Sequence, residues 1–142
     1  MDNRLNSAWL GLRYGVGLTA TLAGIDKFFN LLADWSAYVS PLAAEVLPVP
    51  TTTFLAIVGV IELAVGMAIL TRWTRIGAYV ASAWLLAVAA NLALAGFYDV
   101  AVRDVVMSFA AFTLARLAEM RAAAPAYGFN SISERAPRQV AV

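Results

Sequence analysis

Four apolar runs divide the chain, at residues 9–32, 52–70, 76–95 and 100–120, each close to the roughly 20 residues that cross a bilayer core as a helix. The pattern predicts an all-α protein, an integral membrane antiparallel four-helix bundle. Polar punctuation falls between the runs. Thr51, Thr52 or Thr53 is placed to cap the second, Gly96 closes the third and Asp99 is placed to cap the fourth. Residues 71–75 (Thr-Arg-Trp-Thr-Arg) make a tight basic turn. Residues 33–50 form a longer linker with prolines at 41, 48 and 50. Its Trp35 and Tyr38 suit a membrane interface, and 35–47 can hold a short surface helix broken at Pro41. From 122 to 142 the chain turns polar and is predicted to be a disordered cytoplasmic tail, so residues 1–121 make up the single domain. The first run is too long, and carries too many charges in Arg13, Asp26 and Lys27, to be a signal peptide.

Composition sharpens the picture. Of the 142 residues 62% are hydrophobic and 13% charged, where a soluble domain averages about 45–50% apolar and 25% charged. The mean hydropathy is +0.76. The chain holds neither Cys nor His, which excludes disulfide exchange, iron–sulfur ligation by Cys and His-ligated haem or zinc within it. No basic patch with interleaved aromatics marks a nucleic-acid partner. Lys and Arg outside the runs fall at Arg4, Arg72, Arg75, Arg121, Arg135 and Arg138, and none lies in the other two connections. The positive-inside rule then places both termini in the cytoplasm, in a multi-pass protein of the plasma (inner) membrane.

The polar residues inside the runs are the candidate chemistry. Glu62 lies mid-run, where an acidic side chain costs about 2.5–3.5 kcal/mol on translocon scales, so it should face protein or water. Gly59, Glu62 and Gly66 share one helix face, and Gly17, Thr21 and Gly24 line a close-packing seam on the first helix. Counting helical rise from the outer boundary, Arg103 and Asp104 lie about 5–6 Å deep, Lys27 and Asn91 about 8 Å and Glu62 about 15 Å. Together with Asp26 these residues can meet in one outer-half cluster. Three carboxylates against Lys27 and Arg103 leave one negative charge in excess, and Glu62, deepest of them, is the natural one to hold a proton. The plainer alternative is that these groups only hold the bundle together. Arg13, Arg116 and Glu119 read as cytoplasmic interface anchors, Trp84 as a core or lipid-facing residue, and Gly11-x-x-x-Gly15 as a helix-packing signal.

Arg13-x-x-x-Gly17, then Gly24-x-x-Lys27, then Ile61-Glu62-Leu63-x-x-Gly66, then Arg103-Asp104 at the start of the fourth run resemble the DoxX-like family of small four-helix bacterial and archaeal membrane proteins. The resemblance covers residues 10–120. That family includes the small subunit of archaeal thiosulfate:quinone oxidoreductase. The resemblance implies an integral subunit working with protein partners on quinone or reducing equivalents, with Lys27, Glu62, Arg103 and Asp104 at the matching polar positions.

Three functions are open at this stage. One is an accessory subunit of a membrane redox complex, with no intrinsic cofactor, whose pocket receives a quinone head group. Another is a ligand-free membrane anchor or assembly factor. The third is a small proton-coupled transporter working as a homo-oligomer. The lipid bilayer is the partner common to all three.

Overall fold

The computed structural model describes residues 3–123. Its helices are α1 (Asn3–Asp26), α2 (Pro41–Val46), α3 (Thr51–Leu70), α4 (Thr74–Leu94) and α5 (Tyr98–Ala123), with a 3-10 turn at Trp35–Tyr38, and no strand occurs among the described residues. The protein is all-α. Two of its helices, α3 and α4, are long and apolar enough to cross a membrane. Most of the predicted tail lies outside the described residues, and residues 122 and 123 still belong to α5.

α1 packs on α3 and α4 on α5, and the two pairs join through smaller α3–α4 and α1–α5 contacts. Both pairs run antiparallel. Arg13 meets Leu70 and Lys27 meets Glu62 across the first, while Tyr79 meets Glu119 and Ser82 meets Ser108 across the second.

The α1–α3 contact is built on glycine. A Cβ on Gly24 would lie 2.7 Å from both the Gly59 carbonyl oxygen and the Leu63 nitrogen, and one on Gly59 would lie 2.8 Å from the Gly24 oxygen. The two backbones touch at this crossing, a distance only Gly permits. Lower down, Gly17 faces Leu70 and Ile69, and Gly66 faces Thr21, whose hydroxyl donates to the Gly17 carbonyl at 2.8 Å. The predicted seam is therefore occupied along its length. Gly11 and Gly15 have open space around them and take no part in packing among the described residues.

The interior is made largely of small residues: Ala78, Ala81, Ala89, Ala101, Ala111, Ala115 and Ser108 are buried beside Val16, Ile69, Leu92 and Leu114. Larger apolar side chains such as Leu22, Val102, Val106 and Phe109 point outward. Small residues inside and large ones outside is the arrangement that lets helices approach closely when their outer faces need not be polar.

Local differences from the sequence reading have local causes. α1 starts at Asn3 and stops at Asp26, not at Leu32. The Asp26 carbonyl accepts from the Phe29 and Asn30 amides, and Asn30 adopts φ 52°, a left-handed conformation that Asn tolerates and that ends a helix. α3 begins after Pro50 with no side-chain cap. α5 begins one residue before Asp99, which falls in the first turn, where its charge suits the helix dipole. In the linker, Ser40 caps α2 by accepting from the Ala43 amide, with Pro41 in the first turn.

Candidate functional site

Gly24 and Gly59 bring α1 and α3 into backbone contact, with Glu62 against Gly24 and Lys27, just past the end of α1, against Gly59, so the Lys27 side chain can reach back along the antiparallel seam to Glu62. The Lys27 Nζ lies 2.5 Å from the Glu62 Oε2, with the two side chains only 5% and 13% exposed. Trp35 covers this pair: its ring centroid is 3.7 Å from the Lys27 Nζ, a cation–π contact. Trp35 is held there by Asp26, whose Oδ2 accepts from the indole Nε1 at 2.8 Å. The same carboxylate accepts from the backbone amides of Leu31 at 2.9 Å and Leu32 at 3.0 Å. Asp26 thus folds the end of the first helix back and fixes the tryptophan, and is not itself a partner of Lys27.

The other predicted residues divide. Asn91 is a clamp on the linker: its Oδ1 accepts from the Ser40 amide at 3.0 Å, and its Nδ2 donates to the Tyr38 carbonyl at 2.7 Å. The Tyr38 ring in turn packs edge-on against Phe97, with centroids 4.8 Å apart. Asp104 makes no ion pair, and Glu62 and Lys27 are the charges that act on it. Arg103 is exposed. Successive helical residues point about 100° apart, so Asp104 and Arg103 cannot both face the same cluster. The ion pairs among the described residues are Lys27–Glu62 and Arg116–Glu119. With Arg103 exposed, Lys27 is the cation paired with Glu62 at this end of the bundle. No group of three metal-ligating side chains occurs among the described residues.

At the opposite end of the bundle Arg13 is a helix cap. Its Nε donates to the Ile69 carbonyl at 3.0 Å, and its Nη2 to the carbonyls of Leu70 at 2.5 Å and Thr71 at 2.7 Å. These are the orphan acceptors at the α3 C-terminus, where a cation also opposes the negative end of the helix dipole. Trp9 lies between the guanidinium groups of Arg13 and Arg121, at 4.9 and 4.1 Å from its ring. Arg116 and Tyr79 both bond Glu119. Sequence reasoning placed Arg13 at this end but missed the cap, and placed Trp35 at an interface but missed its position over Lys27. A cation opposite the end of an antiparallel neighbour was the available signal for the first.

Comparison of the chain with protein-family models, with curated proteins and with solved structures finds no match.

Proposed function

We propose that this chain is an integral membrane protein of the DoxX-like kind and serves as an accessory subunit of a quinone-linked redox assembly. In this reading α1, α3, α4 and α5 are the four spans, with both termini on the cytoplasmic side of the plasma membrane. The outward large apolar side chains and the small-residue interior support lipid as the surroundings.

The observation that carries the functional reading is the buried Lys27–Glu62 pair under Trp35, within the electrostatic reach of Asp104. An ammonium has three donors, and Glu62 takes one of them. Another face is covered by a flat aromatic ring, a position that the planar head group of a quinone can take over. The residues fit such a group: Lys27 donates to a quinone carbonyl, stabilising charge that develops on that oxygen, and Glu62 or Asp104 holds the accompanying proton. A bound quinone supplies the redox-active ring. With no Cys or His in the chain, the electrons come from a partner subunit. The pairing of Glu62 with Lys27 disfavours cation–proton exchange, which needs a lone carboxylate.

A second reading is favoured by the closure of the same site. Lys27 is paired and lidded, and Asn91 ties the linker down, as suits a ligand-free membrane anchor whose charges fix helix register. One experiment separates the two. Titrating the protein in mild detergent with a short-chain quinone should quench Trp35 emission, the quenched component should be missing from Trp35→Phe, and native-membrane preparations should carry bound quinone. No quenching together with no co-purified quinone rejects the redox reading and leaves the anchor.

A further inference from the structure

At the Arg13 end, the α1 side, the α3–α4 turn and the end of α5 enclose an open cleft of about 1010 Å³. Four arginines line it: Arg13, Arg72, Arg75 and Arg121. No acidic side chain lines it among the described residues. Glu119, the nearest carboxylate on α5, is bound to Arg116 and Tyr79. Trp9 and Trp73 form its aromatic walls. The Trp9 indole nitrogen has no hydrogen-bond partner among the described residues, as is also true of Trp84 away from the cleft, and Trp9 itself is 8% exposed. A buried donor normally finds an acceptor.

We propose that this cleft binds the phosphate of an anionic phospholipid headgroup. Arg72 on the turn and Arg75 in the first turn of α4 are exposed and are free to close on a phosphate with charge-assisted hydrogen bonds, the geometry for which guanidinium is suited. Arg13 is committed to the α3 carbonyls, and Arg121 to Asn6 and the Trp9 ring. Both still contribute positive charge to the cleft. Trp73 flanks the mouth with Arg72 against its ring, at the depth where Trp seats among headgroups. Lipid as the source of the phosphate rests on the membrane reading above; recognition of a phosphate by the arginines does not.

The test uses the full-length protein in a neutral detergent, titrated with short-chain phosphatidylglycerol, phosphatidylcholine and inorganic phosphate, with binding read by native mass spectrometry and Trp emission. Phosphatidylglycerol should bind at least tenfold more tightly than phosphatidylcholine. Arg72→Gln/Arg75→Gln should weaken it about 30-fold, since each basic residue near an anionic lipid contributes about fivefold. Arg4→Gln, outside the cleft, should change nothing, and an unaltered melting temperature verifies that the double variant is folded. Equal binding of the two lipids, or full affinity in the double variant, overturns the site. Inorganic phosphate binding as tightly as phosphatidylglycerol overturns lipid as the source while keeping the arginines as the receptor. Failure of the membrane reading is seen separately, as a protein that stays monodisperse without detergent.

Discussion

Replacing Lys27 by Met tests the central pair most directly. The substitution keeps the length of the side chain and removes its charge, leaving Glu62 with 13% exposure and no cation while Asp104 remains in electrostatic reach. Breaking a buried pair by removing one partner costs about 3–5 kcal/mol. The cation–π contact with Trp35 is lost as well, adding about 0.5–2 kcal/mol. Glu62→Gln is the milder change. It leaves Lys27 under the Trp35 ring, in electrostatic reach of Asp104, with an amide oxygen still in hydrogen-bond reach. We therefore expect Lys27→Met to cost about 4 kcal/mol and Glu62→Gln about 2 kcal/mol, because only the first leaves carboxylates unpaired. The double variant should cost no more than the milder single, giving a coupling of at least about 4 kcal/mol, within the range measured for close charge pairs. The assay is reversible unfolding in mixed detergent–SDS micelles, followed by helical circular dichroism. Equal single effects that add to within about 0.5 kcal/mol would falsify the pair as the organising contact of this end of the bundle.

The same geometry sets the outcome of substitutions at four other positions. In the same unfolding assay Gly24→Ala should destabilise by about 1–3 kcal/mol, because its methyl meets the Gly59 and Leu63 backbone, which cannot swing aside. Gly15→Ala, with nothing within 4 Å, should be neutral or gain up to about 1 kcal/mol from helix propensity. Arg13→Gln removes a charged donor from three carbonyls at the end of α3; it should cost about 3 kcal/mol and speed hydrogen exchange in the last turn of α3, with no change at the Lys27 end. Asn91→Ala strands the Ser40 amide and the Tyr38 carbonyl, worth about 1–3 kcal/mol, and should raise proteolysis of the 33–50 linker at least tenfold. Asn91→Asp keeps the acceptor, loses the donor and should fall between.

Much of this arrangement was legible from spacing alone, because helical periodicity is a local property. The shared face of Gly59, Glu62 and Gly66, and the facing stripe of Gly17, Thr21 and Gly24, fixed which sides of α1 and α3 would touch and brought Lys27 within reach of Glu62. The separation of Arg103 from Asp104 was equally available, since neighbours on a helix diverge by about 100°, yet reasoning by depth alone placed both in the cluster. What could not be read were contacts made by chain that leaves the helices. Asp26 is buried, as its place in the first run implies, but in place of joining the Lys27–Glu62 cluster it ends α1 by accepting from Leu31, Leu32 and Trp35. That role exists only once the linker folds back. Trp35 over Lys27, Asn91 on the linker backbone and Arg13 on the end of α3 likewise depend on tertiary closure, which no periodicity encodes.

The architecture also says where access to Glu62 lies. α1 and α3 are joined backbone to backbone at the Gly24–Gly59 crossing and tied near both ends, by Lys27–Glu62 and by Arg13 on the α3 carbonyls. Motion there would have to break charged contacts and close-packed backbone together. The α4–α5 pair is likewise extensive and pinned by the Ser82–Ser108 bond at 3.0 Å. The joints between the pairs are the less extensive ones, and Asp104 on α5 faces the α1–α3 charges across one of them. Separating two packed halves disturbs fewer contacts than parting either half. Under the redox reading a ligand therefore reaches Glu62 from the Asp104 side or by displacing Trp35, and not through the glycine seam. Under the anchor reading the same two joints are where a partner helix would have to press to disturb the pair.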